Sequence, residues 1–393
     1  MVTIRPYQDN DLIQVLALLE KSDSTSRTHE TWRGNDMTAV LAFEGERLVG
    51  AIPFEKRQFV LSQEKIIPVL WASGVHVEPE YRSQGVGSSL DQKIEQHFFP
   101  SAQAVLVFRE DEAGPAYRWY KKLGYHDLLP VLSFKKSVEP PLTQPEYIVW
   151  QTQEEIQTRE HKLFDFFQKN IGSFCGYPKR REGFWSEKFV HHYYKKSYSY
   201  SVLALRRGDQ LMSYAFLGKT AMRDGIERLD ILEMITPEDQ EIKNNLYQAI
   251  VHFASRLAVK EIRIQLSYQD PDVAWMKSRG FTLRWRTNVL GKFINPIRYA
   301  GQVLSEIVDL NREYSFLWHT PKLGQQRIGS GKKQLSLFSH DTILHEILFG
   351  RCDIEAALKQ GKLVILEGDE KNLAVLKKAF AFNPWRYFHI DYC

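Results

Sequence analysis

The sequence predicts a mixed α/β (α+β) protein in which two tandem mixed-sheet domains precede a smaller α+β domain. The chain has 393 residues, and at about 150 residues per domain this length corresponds to two or three domains. Short β-type runs alternate with helical stripes, and one set of motifs recurs 158 residues later. The pattern changes again after Asn295-Pro296. We therefore place the domains at residues 1–140, 141–290 and 291–393.

The composition indicates a globular protein and excludes several classes of function. The net charge is +4, from 52 basic and 48 acidic residues, which is far from the basic surface that nucleic-acid binding needs. No window approaches 18 consecutive apolar residues, and the first residues lack a basic and apolar leader, so we expect a cytoplasmic protein without a membrane span. The three cysteines, Cys175, Cys352 and Cys393, lack C-x-x-C spacing, so neither a disulfide framework nor a metal site is expected.

The first 140 residues alternate between the two hydrophobic periods. Leu12, Val15, Leu16 and Leu19 recur at helical spacing, which predicts a helix over residues 11–20. Four β-type runs separated by turn residues then predict an antiparallel meander. They lie at 38–43, 48–54, 59–61 and 66–77. The remaining elements are predicted, in chain order, as a helix at 86–98, a strand at 104–108, a helix at 116–123 and a strand at 128–134.

The segment before the helix at 86–98 has the sequence of an anion-binding turn. It runs Arg82-Ser83-Gln84-Gly85-Val86-Gly87-Ser88. Glycines allow left-handed backbone and a close approach, and a helix start directs N–H groups and the positive end of its dipole outward. Taken alone, the pattern fits either an anion cradle or a simple strand-to-helix turn.

A second motif, Trp119-Tyr120 with Gly124-Tyr125, follows the strand at 104–108. Together with the element order and the glycine turn, it resembles the GNAT superfamily of acyl-CoA N-acyltransferases. The resemblance implies that acetyl-CoA is the donor and that the strand before the turn binds its pantetheine arm. The implied donor-binding residues are Val75, His76 and Val77 for the pantetheine, and Arg82, Ser83, Gln84, Gly85, Val86, Gly87 and Ser88 for the pyrophosphate.

The resemblance also implies a catalytic role for Tyr120. In acyl transfer from a thioester, a neutral amine attacks the carbonyl, an oxyanion develops near backbone N–H groups, and the thiolate leaves with a proton from a positioned acid. Tyr120 is the expected acid, and a tyrosine packed beneath the last strand is the alternative. The side chain of His76 is expected to be a core or sheet histidine rather than a base.

Residues 145–290 repeat the first unit without its chemistry. Val77-Glu78-Pro79-Glu80 recurs as Ile235-Thr236-Pro237-Glu238, and Trp119-Tyr120 recurs as Trp275-Met276. The alignment puts Lys243 where Gly85 stands and Met276 where Tyr120 stands. We expect that the second copy does not bind coenzyme A, because a lysine would obstruct the pyrophosphate, and that it walls the acceptor pocket instead.

Two polar clusters in the second unit have ordinary explanations. The run Lys179-Arg180-Arg181 is expected to be a solvated loop, with an anionic-ligand site as the alternative. The pair His191-His192 lacks the spacing of metal ligands.

The last hundred residues look like a sterol-carrier-protein-like domain. The similarity lies in Leu348-Phe349-Gly350, in residues 357–363 and in Gly368-Asp369. Strands are predicted at 314–318 and 334–338, and the basic, glycine-rich segment 324–333 is expected to be a flexible hairpin between them.

The three units together resemble the Eis (enhanced intracellular survival) family of N-acetyltransferases. The resemblance implies that the terminal carboxylate, here that of Cys393, is the general base and that Asp23 and Trp32 belong to the acceptor pocket. The aromatic Tyr387 and Phe388 favour a docked C-terminal tail. Tyr392 stands where the family has an acid, which disfavours polycationic acceptors.

The sequence therefore predicts an N-acyltransferase that moves an acetyl group from acetyl-CoA to a primary amine of a small molecule or peptide. The resemblance adds a possible homo-oligomer. The alternative is a non-catalytic protein that binds a lipid or other apolar ligand and senses acyl-CoA through its GNAT domain.

Overall fold

The fold class is confirmed by a computed structural model of the chain. It describes residues 2–21, 32, 36–72, 75–109, 114–140, 145–172, 174–190, 199–221, 227–368 and 370–392. Within these residues, one mixed sheet contains fourteen strands and a second sheet contains four. The protein is therefore a mixed α/β structure with helices packed on its sheets.

The first unit begins with an antiparallel meander and ends with a helix-linked pair of strands. Its elements are β1 (Val2–Pro6), α1 (Leu12–Glu20), β2 (Met37–Glu44), β3 (Arg47–Val60), β4 (Ile66–Ala72), β5 (His76–Val77), α2 (Val86–Phe98), β6 (Ala104–Arg109), α3 (Pro115–Lys122) and β7 (His126–Ser137). The two strands predicted at 48–54 and 59–61 are one strand, β3. Its charged centre is extended because residues 54–60 pair with β4, and there Arg57 pairs with Glu55 at 2.7 Å and lies over the Trp71 ring.

The second unit repeats this topology. Its elements are β8 (Ile148–Trp150), α4 (Gln153–Gln157), α5 (Glu160–Asn170), β9 (Tyr177–Pro178), α6 (Phe184–Val190), β10 (Ser199–Arg207), β11 (Gln210–Ala221), β12 (Glu227–Ile235), α7 (Gln240–Arg256), β13 (Glu261–Ser267), α8 (Asp272–Ser278) and β14 (Thr282–Phe293). In each unit a long helix connects two parallel strands, α2 between β4 and β6 and α7 between β12 and β13.

The two units exchange their last strands. The central order of the large sheet is β4-β6-β14-β7-β13-β12, so β14 of the second unit lies between β6 and β7 of the first. β14 pairs antiparallel with β6, and β7 pairs antiparallel with β13. The sheet is therefore continuous across the boundary that we predicted at residue 140.

The C-terminal unit has its own four-stranded sheet. Its elements are α9 (Pro296–Ser305), β15 (Tyr314–Thr320), β16 (Gly324–Ile328), β17 (Lys333–Ser339), α10 (Asp341–Leu348), α11 (Ile354–Lys359), β18 (Leu363–Glu367) and α12 (Glu370–Ala379). The prediction of a flexible hairpin at 324–333 was wrong. This segment contributes β16, which pairs antiparallel with β15, while β17 runs parallel to β15.

The C-terminal tail docks against the large sheet. Trp385 forms a bridge with Cys175, where the Cys175 N–H donates to the Pro384 carbonyl at 3.0 Å and the Arg386 N–H donates to the Cys175 carbonyl at 2.8 Å. Tyr387 and Phe388 are buried, as expected for a docked tail. The tail ends in a short 3-10 helix, His389–Tyr392.

In the part of the chain that the structure describes, no helix is long and apolar enough to cross a membrane.

Candidate functional site

The parallel strands β4 and β6 separate at their carboxyl ends. They pair from Val69 with Ala104 to Ala72 with Val107. The next described strand, β5, pairs with β3 and not with β6, through Val77 with Gly50 and His76 with Ala51. Within the described residues, β5 pairs with β3 and with no other strand. The backbone around Val75, His76 and Val77 thus offers polar groups to an extended ligand at the opening.

The glycine turn has the geometry of an anion cradle. Gly85 has a φ of +84° and is the N-cap of α2, and Ser83 has a φ of +61°. In the described residues, the backbone N–H groups of 83–88 donate to no protein acceptor. A Cβ added at Gly85 would meet nothing within 4 Å, so the space beside this glycine is open.

Two side chains of the same turn stabilise it through hydrogen bonds to backbone carbonyls. Arg82 Nε donates to the Val77 carbonyl at 2.8 Å, and Gln84 Nε2 donates to the Glu80 carbonyl at 2.5 Å. A Cβ added at Gly87 would lie 3.2 Å from the Trp119 ring. This glycine therefore allows α2 to pack closely against α3, which carries Tyr120.

Tyr120 is buried on α3 at the same side of the sheet as the turn. Its ring lies 4.8 Å from Trp119 and 5.0 Å from Tyr125, in edge-to-face contacts. The two apolar side chains Ala72 and Val107, where β4 and β6 part, belong to the same core cluster. The structure thus brings the turn, the strand opening and Tyr120 together on one face.

Below Tyr120 lies a buried polar group that the sequence did not reveal. Tyr125 donates its hydroxyl to Asp91 Oδ1 at 2.9 Å, and Lys292 Nζ donates to Asp91 Oδ2 at 2.5 Å. Burial lowers the pKa of Lys292 and raises that of Tyr125, while Asp91 opposes the shift of the lysine. Lys292 belongs to β14, so the exchanged strand of the second unit supports the helices that carry the turn and Tyr120.

The side chain of His76 points to the opposite face of the sheet. Val77 packs against the α2 cluster, and successive residues of a strand alternate between faces. His76 is 7% exposed, and its Nε2 has no hydrogen-bond partner among the described residues. Burial lowers the pKa of His76. It is a buried histidine, as expected, but that nitrogen is not satisfied by the described part of the protein.

The residues predicted for the acceptor pocket are placed only in part. Trp32 is buried in the cluster around α1, and its ring lies 5.3 Å from Tyr7. Asp23 and Cys393 lie outside the described residues, as do His191 and His192.

The C-terminal tail covers the face that His76 points to. Tyr387 packs on Phe108 of β6 at 5.6 Å, and its hydroxyl donates to Gln265 Oε1 at 3.0 Å. Arg57 Nη1 donates to the Asp391 carbonyl at 2.7 Å. The last described residues are therefore fixed beside the strands that form the opening.

The prediction of a solvated loop at 179–181 was wrong for Arg180. Its side chain is fully buried and contacts the carboxylates of Asp391 and Glu233, the latter at 2.8 Å. Glu233 also accepts from Trp185 Nε1 at 2.6 Å and from the Tyr214 hydroxyl at 2.8 Å. Burial alone would lower the pKa of Arg180, but the two carboxylates raise it. The pairing explains how an arginine remains charged in the core.

The second unit has no equivalent of the cradle. Its helix α7 begins at Gln240, one turn before the position that aligns with the start of α2, so the corresponding segment is itself helical. The side chain of Asp239 caps this helix by accepting from the N–H groups of Glu241 and Ile242 at 2.9 and 3.0 Å. Lys243 does not block the site, because it turns away to Asp272 and lies over Trp275.

No cluster of three or more His, Cys, Asp or Glu side chains suited to a metal ion occurs in the described ranges.

Comparison with known proteins agrees with this arrangement. Residues 10–125 match the sequence model of the family described as "Acetyltransferase (GNAT) family". No curated protein matches the chain. Solved structures resemble it over nearly the whole length, among them the three that follow. A GCN5-related N-acetyltransferase from Anabaena variabilis ATCC 29413 gives a TM-score of 0.66 at 14% identity, covering 99% of this chain and 100% of that one.

The second structure is a conserved protein of unknown function from Enterococcus faecalis V583, described as a probable N-acyltransferase. It gives a TM-score of 0.69 at 10% identity, covering 99% of this chain and 98% of that one. Eis1 from Mycobacterium abscessus gives 0.60 at 10% identity, covering 98% of each chain. At these identities the similarity establishes the fold. The chain thus has the fold of these GNAT-related proteins, and the GNAT family pattern lies in its first unit.

Proposed function

We propose that the protein is an N-acyltransferase that moves an acetyl group from acetyl-CoA to a primary amine of a small molecule or peptide. The observation that carries this proposal is the contrast between the two repeats. In the first, the N–H groups of 83–88 donate to no backbone acceptor among the described residues, and the space beside Gly85 is open. In the second, the corresponding segment is helical and is capped by Asp239. Only the first repeat retains a place for a pyrophosphate.

The donor side of the proposed site uses mainly backbone groups. The N–H groups of residues 83–88 and the dipole of α2 bind the pyrophosphate. The backbone of Val75, His76 and Val77 pairs with the pantetheine arm in the opening beside β6. Backbone N–H groups are already oriented by the fold, so those beside the thioester stabilise charge on its oxygen without reorganisation.

Tyr120 is the proposed proton donor to the departing thiolate. Tyr120 is only 4% exposed. Its contacts with Trp119 and Tyr125 hold the side chain in one orientation. A positioned acid of this kind typically contributes about a hundredfold to ten-thousandfold in rate.

The acceptor side lies on the face covered by the tail. The carboxylate of Cys393 is the proposed base, and the Arg57 contact with the Asp391 carbonyl at 2.7 Å fixes the chain two residues before it. Asp23 and Trp32 are the proposed acceptor-binding residues. One added glycine moves the carboxylate by about 3.5 Å, so this variant should lose turnover while keeping its affinity for acetyl-CoA.

The donor site is tested by replacing Gly85 with alanine. Gly85→Ala strains a left-handed residue by about 1–2 kcal/mol and also puts a methyl group where the phosphate binds. Gly208, in the turn between β10 and β11, has a φ of +60° and equally open surroundings. Gly208→Ala is therefore the matched control for strain.

We expect calorimetric titration to show one acetyl-CoA per chain, with a dissociation constant about tenfold or more higher in Gly85→Ala and unchanged in Gly208→Ala. The same weakening in both variants would assign the effect to strain and remove the cradle from the proposal.

Catalysis is tested by thiol release with a panel of primary amines. Tyr120→Phe should lower kcat about a hundredfold or more at unchanged acetyl-CoA affinity. Tyr268→Phe, at a residue 60% exposed, is the control and should leave both unchanged. Binding of acetyl-CoA without release for any amine would favour the carrier alternative. Against that alternative, the inner face of the small sheet is filled by the chain's own Phe316, Trp318, Leu335 and Leu337.

A further inference from the structure

A cleft separates the C-terminal unit from the last turn of α2. Its volume is about 620 Å³, which is within the range of small-molecule sites. The cleft is bounded by Glu95 of α2, by the link from β14 to α9, and by the hairpin of β15 and β16. Glu95 lies ten residues after Gly85, about 15 Å along the helix. The cleft is therefore distinct from the glycine turn at the start of α2.

The floor of the cleft is apolar, and a glycine leaves it open. Ile294, Ile297, Leu323 and Ile328 line it together with Gly301. Gly301 lies inside α9, where glycine destabilises a helix relative to alanine. Its φ is not positive, and among the described residues an added Cβ would meet Ile328 at 3.5 Å, an ordinary contact. Neither the backbone nor the packing therefore requires a glycine here, and its effect is to leave room in the cleft.

The rim of the cleft carries two arginines without an acidic partner. Within the described ranges, neither Arg298 nor Arg327 forms an ion pair. The guanidinium carbon of Arg298 lies 4.7 Å from the centroid of the Phe99 ring, and a guanidinium that stacks on a ring keeps its N–H edge free. Arg327 Nη2 donates to the neutral Gln334 side chain at 3.1 Å. Both positive charges are therefore available to a ligand.

The acidic residue of the lining does not cancel these charges. Glu95 Oε1 accepts a hydrogen bond from Asn295 Nδ2 at 2.9 Å. One carboxylate against two guanidinium groups leaves the lining with a net positive charge. Guanidinium groups bind carboxylates through charge-assisted hydrogen bonds, so the rim favours an organic anion.

We propose that this cleft binds a small organic anion that carries a carboxylate on an apolar body. The carboxylate lies at Arg298 and Arg327, and the apolar body lies on the floor beside Gly301. An uncharged apolar molecule would leave the two arginines without a partner, and a simple inorganic anion would leave the floor uncovered. The site is separate from the interior of the small sheet, which the chain's own side chains fill, and it does not depend on the proposed acetyl transfer.

The first experiment is calorimetric titration of the full chain with octanoate, without acetyl-CoA. We expect one octanoate per chain. Acetate has the same carboxylate without the apolar body, and 1-octanol has the same chain without the charge. Each should bind about tenfold or more weakly than octanoate. Equal affinity for octanoate and 1-octanol would remove the arginines from the proposal, and equal affinity for octanoate and acetate would remove the floor.

Variants of the floor locate the bound octanoate. Gly301→Leu fills the cleft and should abolish binding, whereas Gly301→Ala adds a methyl group that fits and should keep it. Urea unfolding shows whether both variants are folded. Octanoate binding that is unchanged in a folded Gly301→Leu protein would place the ligand elsewhere and overturn the proposal.

Variants of the rim test the charge, and they decide the proposal even where Gly301→Leu does not fold. Exchange of both Arg298 and Arg327 for glutamine should raise the dissociation constant of octanoate about tenfold or more. Arg312→Gln is the control, because Arg312 is an exposed arginine of the same unit outside the lining. An absence of saturable octanoate binding, or equal affinities in the rim variant and in Arg312→Gln, would overturn the proposal.

Discussion

The buried Arg180 makes a sharp prediction about the docked tail. Its side chain and that of Glu233 are 0% exposed, and that of Asp391 is 1% exposed. The guanidinium carbon of Arg180 lies 3.9 Å from the centroid of the Phe184 ring. Arg180→Met keeps much of the side-chain volume but removes the charge. Two carboxylates then remain in the core without their shared cation.

The expected cost follows from this burial. Removing one partner of a buried ion pair typically costs about 3–5 kcal/mol, because the remaining charge is left without compensation. Asp391 belongs to the tail and Glu233 to β12, so the repulsion acts between the tail and the sheet. Opening of the tail should become easier by the same amount, which corresponds to about a hundredfold or more in its opening equilibrium.

Hydrogen exchange measured by mass spectrometry reads this opening directly. The Arg386 and Asp391 N–H groups are hydrogen-bonded in the docked tail, to the carbonyls of Cys175 and Phe388, and should exchange about a hundredfold faster in Arg180→Met if tail opening limits exchange. Urea unfolding reports the stability of the whole chain in parallel.

Arg181→Met is the matched control. Arg181 pairs with Glu187 at the surface, where its side chain is 64% exposed, and such pairs contribute about 0–1 kcal/mol. Exchange in the tail should be unchanged. Equal protection of the tail in both variants would refute the reasoning that the buried arginine holds it.

Two further predictions concern the stability of the protein at acidic pH and the closed helix start of the second repeat. Burial lowers the pKa of His389 to about 3 and that of His126 to about 4, so the unfolded chain binds protons on them that the folded chain does not. The free energy of unfolding should therefore fall by about 2 kcal/mol per histidine between about pH 7 and pH 5. Urea denaturation of His389→Gln should show a weaker dependence of this free energy on pH. The same pH dependence in His389→Gln and the unchanged protein would contradict the prediction. Asp239→Ala should cost about 1 kcal/mol through loss of the α7 cap, yet titration should still show one acetyl-CoA per chain. A second binding site would show that the cap alone blocks the second repeat.

Local features of the structure were predictable from the sequence. The helix at 86–98 agrees with α2, because its apolar spacing and its glycine start are contained in neighbouring residues. The same reasoning missed β16, since Gly324-Gln325-Gln326-Arg327 has no apolar alternation. Its position at the edge of the sheet removes the need for such alternation.

Features that depend on distant contacts were not predictable. Arg180 meets Glu233 and Asp391, which lie 53 and 211 positions away, and nothing in its local sequence distinguishes it from Lys179 or Arg181. The exchange of β7 and β14 was hidden for the same reason. Both strands have twelve residues and mix apolar with polar residues, so their sequences do not show which place each occupies in the sheet.

The strand exchange gives a physical reason for the presence of a second repeat without a cradle. On the donor side, β14 brings Lys292 to Asp91 beneath Tyr120. On the acceptor side, β13 binds the tail through Gln265 and Ser267, which contact Tyr387 and the Trp385 carbonyl. The second repeat thus supports both faces of the candidate site from its own strands. We therefore expect its strands to be needed for the candidate site even though its own helix start is closed. Removing residues 141–290 would leave β6 without its pairing to β14 and the tail without its contacts with β13.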